Sequence, residues 1–299
     1  MTVGRSLVVN ADDLGLTVGV NDGIFDAFDY GILTSTSLFA SAPATSDAIR
    51  RARSRPSLGV GVHLALVDGT PTLPPSRVPT LVEDDGRFRR SWKPFIVACL
   101  RGQVSLAEVE LELTAQIERL QDAGIRPTHL DAHKHVHAYP PVFAIVARLA
   151  GRFGIPVVRV PRERWLPAAG DVRSHRSLGL QAVLNAAMLP WARRDYRTAA
   201  SRDLRTPHLV GRIHTGFLSA DALAGIVRSL QPGVTELMVH PGFCDDQLER
   251  TGTRLLESRQ HELDLLCRLE TRAVLVGERV DLLRHDLTHV TRRGLRHVS

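Results

Sequence analysis

The chain is poor in cysteine, in lysine and in aromatic residues, and each shortage removes a class of protein. Its three cysteines, Cys99, Cys244 and Cys267, are odd in number, far apart and without C-x-x-C spacing, which excludes a disulfide framework and fits a reducing compartment. Aromatics make up 5% of the residues and no basic stripe is interleaved with them, so no nucleic-acid partner is expected. The formal net charge is +6, yet only Lys93 and Lys134 are lysines. Such an arginine bias reads as coding composition as readily as a binding surface, and leaves at most a weak attraction to anionic membranes. No apolar run approaches the roughly 18 residues of a membrane span, and the N-terminus lacks the apolar stretch of a secretory signal. The expected location is therefore cytoplasmic. There is no G-x-S-x-G to present a serine nucleophile, no P-loop, no G-x-G-x-x-G, and no repeat with a period of 20 to 50 residues.

What remains is material for one large α/β unit. The chain has 299 residues, of which 43% are hydrophobic and 23% charged. That is the composition of a globular enzyme, and a (β/α) barrel of about 250 residues uses such a length as a single domain. Short apolar runs alternate with helical stripes. Residues 6–10 read as a buried strand ending in Ala11-Asp12-Asp13, and 20–30 as a helix stopped at Gly31. Residues 35–41 and 59–66 read as the second and third strands, with a helix over 43–55 between them. Ser105-Leu-Ala-Glu108 is a capping box that opens a helix closed at Gly124, and Pro140-Pro141 opens another through Phe153. Strands are further expected at 157–161, 208–215, 235–240 and 273–276, and helices at 220–230 and 253–272. The fold class read from this alternation is α/β: a single irregular TIM-like (β/α) barrel over residues 1–283, with an inserted, partly helical excursion at 162–202 and a basic, frayed tail at 284–299.

The densest chemistry lies in His129-Leu-Asp-Ala-His133-Lys-His135-Val-His137, which holds four of the thirteen histidines. A strand would aim His133 and His135 to one side, and a helical turn would align His129 with His133. Imidazole is a common metal ligand and titrates near neutral pH. Asp12 and Asp13 end the first strand, His63 lies late in the third, and His240 ends the run at 235–240. In parallel α/β folds, sites gather at the C-terminal ends of strands. A buried pair of aspartates there needs a cation or a shared proton. Each residue alone has a plainer reading: surface histidines, Asp13 as a cap before Gly15, His63 as structural, His240 held by the Pro241-Gly242 turn. A barrel would collect them on one rim, where one carboxylate and two imidazoles leave open positions on a divalent ion. A second carboxylate could then deprotonate a metal-bound water and a histidine could protonate the leaving group, which suits hydrolysis of an amide or ester. Arg159 can pair with a strand-end carboxylate or hold a substrate oxyanion. A metal-dependent phosphoesterase and a non-catalytic sugar-binding barrel remain as other classes.

These residues, in this order, resemble the YdjC-like carbohydrate deacetylases, a family that includes the ChbG and HpnK branches. The marks are Val9-Asn-Ala-Asp-Asp13-Leu-Gly15, Thr34-Ser-Thr-Ser37, Gly61-Val-His63-Leu, the segment from Pro127 to His137, Arg159 and His240-Pro-Gly. Leu14 departs from the phenylalanine usual there. The resemblance implies an irregular TIM-like barrel that removes the acetyl group from an N-acetylated sugar and releases acetate. It implies one divalent metal ion, Mg2+ or Zn2+, on Asp13, His63 and His133, with Asp12 as the base. A looser likeness to polysaccharide deacetylases implies that Arg159 orients Asp12 and that His240 is the acid. It assigns no role to His129, His135 or His137. The proline-rich loop at 67–88 resembles the hopanoid-associated HpnK branch more than the chitooligosaccharide branch. That implies an N-acetylglucosamine unit on a lipid as substrate, met by an apolar shelf that includes Leu73 and Leu81; the plainer alternative is a lid packed inward. The expected partners are thus an N-acetylated sugar or glycolipid substrate, peripheral contact with the inner membrane face, and a second copy in a homodimer.

Overall fold

A computed structural model describes residues 4–163 and 176–289. The sheet is organised around β1 (Arg5–Leu14), whose last eight residues are all buried, the pattern of a parallel strand covered on both faces. One edge of β1 pairs with β6 (Gly233–Val239) from Arg5 to Ala11. The other edge is shared: β7 (Val280–Leu282) takes Arg5 to Leu7, and β2 (Ser35–Leu38) takes Asn10 to Leu14. With β3 (Gly59–Leu64), β4 (Leu130–Ala132) and β5 (His208–Val210), the order is β4-β3-β2-β1-β6-β5, with β7 off this path. Every ladder is parallel, so all strand C-termini reach one side. The connecting helices carry their apolar stripes on to the sheet, as Val20, Ile24, Ala27 and Phe28 do from the helix Val18–Asp29.

The α/β class and its parallel strands agree with the sequence reading, whereas a complete ring of strands does not form. Between β4 and β5 the chain makes single bridges, Leu130 with Val158, Val157 with Arg205 and Glu163 with Leu209, where a continuous strand was expected at 157–161. Pro156 and Pro161 flank that segment and each lacks a donor for a ladder. The result is a parallel-strand half-barrel with an irregular remainder.

Other expectations also shift. Residues 273–276 belong to the helix Leu269–Gly277, because Thr271 and Leu275, one helical turn apart, are its buried pair; the strand comes later, as β7. Residues expected to fray from 284 are packed: Arg284 donates to the carbonyl of Pro56 at 2.8 Å, and His285 is buried with its ring 3.8 Å from that of His129. Residues 290–299 of that tail lie outside the described residues. So do 164–175 of the excursion, which from 176 onward forms the helices Arg176–Ala187 and Leu189–Ala200.

The loop at 67–88 turns most of its aliphatic and aromatic side chains inward. Val78, Leu81 and Phe88 are buried and Leu73 packs against the core, while Pro74, Pro75 and Pro79 stay exposed, so the two leucines do not form the expected shelf. The cause lies on the helix Leu106–Asp122. Ser105 caps it as expected, accepting from the Glu108 amide, but the Glu108 carboxylate takes the amide and hydroxyl of Thr80 instead of reaching back to the cap. The buried Glu112 takes the amides of Thr72 (2.7 Å) and Leu73 (3.1 Å). Among the described residues no helix is long and apolar enough to cross a membrane.

Close packing beneath the strand ends yields one stability prediction. A Cβ added to Gly61 would stand 2.4 Å from the His129 ring, which is itself buried. Gly61→Ala is expected to cost about 1–3 kcal/mol through overpacking, seen as a lower urea midpoint at unchanged slope. An unchanged midpoint would mean that His129 moves aside without penalty.

Candidate active site

The site is built where β1 breaks. In a straight strand Asp12 and Asp13 would face opposite sides of the sheet. Here Asp13 adopts φ 71°, and the pairing of β1 with β2 slips between Ala11 and Leu14. Aspartate tolerates this left-handed region better than most residues. The break turns both carboxylates toward His63, with which each forms a three-donor cluster.

Asp13 Oδ1 lies 3.5 Å from His63 Nε2 and 3.2 Å from His133 Nδ1, and the three residues each offer a ligand atom within 4.8 Å of the other two. Neighbouring ligand atoms on a small divalent ion stand about 3 Å apart, given bond lengths near 2.0–2.1 Å. Both short edges are close to that spacing. His63 Nδ1 is 2.8 Å from Asp131 Oδ1, the outer-carboxylate arrangement that presents the opposite nitrogen to a metal. His133 Nε2 lies 3.5 Å from Asp68 Oδ2, and Asp68 also pairs with Lys134. Phe39 stands edge-on to both imidazoles, at 4.8 and 5.2 Å between ring centroids, and forms an apolar wall beside the donors.

Behind the donors, Arg159 is 1% exposed and forms a fork with Asp12: Nη1 donates to Oδ2 and Nη2 to Oδ1, both at 2.7 Å. It also reaches Asp131 Oδ2 at 2.9 Å and donates from Nε to Glu236 Oε1 at 2.8 Å. Asn10 donates to Asp12 at 3.0 Å, and Ser37 donates to Asp131 at 2.7 Å. Burial alone would raise the Asp12 pKa, but the Arg159 guanidinium holds it down at about 2. Asp12, Asp13, Asp131 and Glu236 are all buried against two buried guanidiniums, Arg159 and Arg259. Four carboxylates against two cations leave a net negative charge while the histidines are neutral, to which the buried Glu262, raised to about 7 by burial, adds in part, and a divalent ion would offset most of it. Without it the imidazoles must take protons: burial would lower His63, yet Asp131 and Asp13 push it up to about 10. The donor set thus fits a divalent ion in both spacing and charge.

His240 ends β6 at the same rim. Its backbone amide donates to Glu262 Oε2 at 2.6 Å, and its Nδ1 has no hydrogen-bond partner among the described residues. Burial lowers its pKa to about 4 although Asp12 and Asp13 oppose the shift, so the ring is neutral at pH 7.

All six residues singled out in the sequence, Asp12, Asp13, His63, His133, Arg159 and His240, belong to this one cluster. The rest of the histidine-rich segment does not act together. Only Leu130–Ala132 is strand; Lys134 and His135 then take φ of 49° and 54° inside a tight 3-10 turn, which ends the alternation that would pair His135 with His133. His137 Nε2 instead meets the carbonyl of Arg159 at 2.8 Å, and His129 Nε2 meets Ser37 Oγ at 3.1 Å. Sequence reasoning gave Asp131 no role, although it stands in the histidine-rich run, and missed Asp68, Glu236, Arg259 and Glu262. One signal was available: in the helix Glu257–Cys267, Arg259 and Glu262 fall on the same face as Leu263 and Leu266, and charges on an apolar stripe need partners.

Comparison with known proteins bears on this arrangement. The family model described as YdjC-like protein matches residues 6–276. A carbohydrate deacetylase of Geobacillus stearothermophilus is 44% identical over 265 residues, 88% of this chain and 89% of that protein. Another, of Halalkalibacterium halodurans, is 42% identical over 264 residues, 88% and 96% of the two chains. Among solved structures, an Enterococcus faecalis V583 protein described as a candidate for cellobiose-phosphate cleavage aligns with a TM-score of 0.74 at 26% identity, covering 95% of this chain and 98% of its own.

Proposed function

The chain belongs to the YdjC-like protein family, and on that premise we propose that it is a metal-dependent hydrolase that removes the N-acetyl group from an N-acetylglucosamine-containing substrate and releases acetate. The carrying observation is the convergence of Asp13, His63 and His133 beside the Asp12–Arg159 fork and His240, supported by the carbohydrate deacetylases among its relatives. A divalent ion held by Asp13, His63 and His133 would polarise the acetyl carbonyl and acidify a bound water. Two imidazoles in the set favour Zn2+ over Mg2+.

The remaining steps fall to the chain's own groups. Asp12 is ionised, the state from which a base starts, and the Arg159 fork fixes its direction toward the attacking water. His240 begins neutral, so it must gain a proton before it can give one, and the proton that Asp12 takes from the water is the one that would pass to it and on to the amine. With a pKa depressed to about 4, its protonated form is a ready donor to the departing amine, which would otherwise leave as an unstable anion. His240→Ala is accordingly expected to slow an N-acetyl substrate by about 100-fold or more while largely sparing an activated acetyl ester, whose leaving group needs no proton. Equal losses on both would assign His240 to binding or folding.

The glycolipid acceptor suggested by the 67–88 loop loses its support with Leu81 buried, and we place a soluble N-acetylated sugar first. The test is acetate release from N-acetylglucosamine oligomers and from an N-acetylglucosaminyl lipid, before and after chelation. Activity on the oligomers that disappears on chelation and returns with Zn2+ is expected. Hydrolysis of phosphate monoesters with no acetate from any N-acetylated sugar would replace the reading with a phosphoesterase.

A further inference from the structure

We propose that Arg259 is the positioning residue of the metal centre: it occupies the outer oxygen of Asp13, so that this carboxylate meets the ion through Oδ1 alone. The inference rests on the reading that a divalent ion binds Asp13, His63 and His133. The two oxygens of Asp13 have separate surroundings. Oδ1 faces both imidazoles, at 3.5 and 3.2 Å, and Oδ2 accepts from Arg259 Nη2 at 2.6 Å.

Arg259 is itself held from several directions. Its Nε donates to the carbonyl of Leu255 at 3.1 Å, its own amide donates to the carbonyl of Leu256 at 2.9 Å, and its carbonyl accepts from the Gly242 amide at 3.2 Å. The guanidinium is therefore placed by the start of the helix Glu257–Cys267 and by the turn after His240, independently of the carboxylate it meets. Asp13 needs such a partner because its backbone is in the left-handed region and the ordinary strand geometry no longer directs its side chain.

A purely structural role explains Arg259 poorly. The residue is 1% exposed, and among the described residues its Nη1 has no hydrogen-bond partner while its Nη2 is committed to Asp13 Oδ2; a buried guanidinium is costly, and this carboxylate is the anion that offsets it. Three positions further along the same helix face, Glu262 holds the amide of His240. One helix thus supports both the ligand carboxylate and the strand end that carries the proposed acid.

The test uses the metal-free full-length protein and Co2+ as probe, whose visible absorption reports coordination directly. Wild type, Arg259→Met and Arg259→Lys are titrated, and the melting temperature of each metal-free protein is recorded. Arg259→Met is expected to bind Co2+ about 10–100-fold more weakly, the usual effect of losing an outer partner of a ligand, with an altered Co2+ spectrum; its metal-free melting temperature is expected to fall, because the Asp13 carboxylate loses its buried cation, and shows whether the variant is folded at the titration temperature. Arg259→Lys, which keeps the charge but not the fork, is expected between the two. Wild-type affinity and spectrum in Arg259→Met would overturn the proposal. If Arg259→Met does not fold, wild-type affinity and spectrum in Arg259→Lys would overturn it instead. Failure of the wild-type protein to bind Co2+ is a different result, which would remove the metal reading and this inference together.

Discussion

Replacing His133 by alanine is expected to strip the protein of its divalent ion and abolish deacetylation. The donor set is small: with His133 gone, only Asp13 and His63 remain of the Asp13–His63–His133 cluster, and two protein ligands with water hold a catalytic ion poorly. The loss of affinity should exceed the roughly 10–100-fold typical of outer-shell partners. His133 side-chain exposure is 18%, so the smaller side chain opens a solvated gap at the rim and leaves the core intact. His135→Ala is the control. It lies two residues away in the same histidine-rich run, but the positive-φ turn removes it from the donor set. Metal analysis after dialysis should find the ion in wild type and His135→Ala and not in His133→Ala. Equal occupancy in wild type and His133→Ala would refute the ligand assignment.

Asp12→Asn should give the opposite pattern: metal retained, turnover lost by about 100-fold or more, the scale of a general base. Asparagine preserves the size of the side chain, and Arg159 keeps Asp131 and Glu236 as anionic partners, so the buried guanidinium is not stranded. What disappears is the proposed acceptance of the water's proton at that atom. Metal content near wild type, together with a collapse in kcat, would separate Asp12 from the ligand Asp13 beside it. Near-normal turnover in Asp12→Asn would rule out the role. Such a result would shift attention to His240, which is neutral and open at Nδ1.

Local order along the chain was enough to determine the α/β class, most strand positions and six residues that the fold brings to one rim. Asp12, Asp13, His63, His133, Arg159 and His240 could be found because each stands at or near the end of a short apolar run, and parallel strands bring such ends to one side. Hydrophobic periodicity is a property of neighbours, and it survives in the bare sequence. The tertiary structure decided what depends on distant partners. The Asp13–Arg259 pair spans 246 positions and the Arg159–Glu236 bond spans 77. No spacing rule encodes either, because they follow from which helix or strand packs against which. The same holds for the inward packing of Leu81, set by Glu108 and Glu112 gripping the loop backbone. It holds too for the irregular gap between β4 and β5, where residues 157–161 have strand-forming composition but flanking prolines limit them to isolated bridges. Among the four clustered histidines, two successive left-handed residues, Lys134 and His135, decided which ring joins Asp13 and His63. Composition alone could not tell them apart, since their types are the same and only their directions differ.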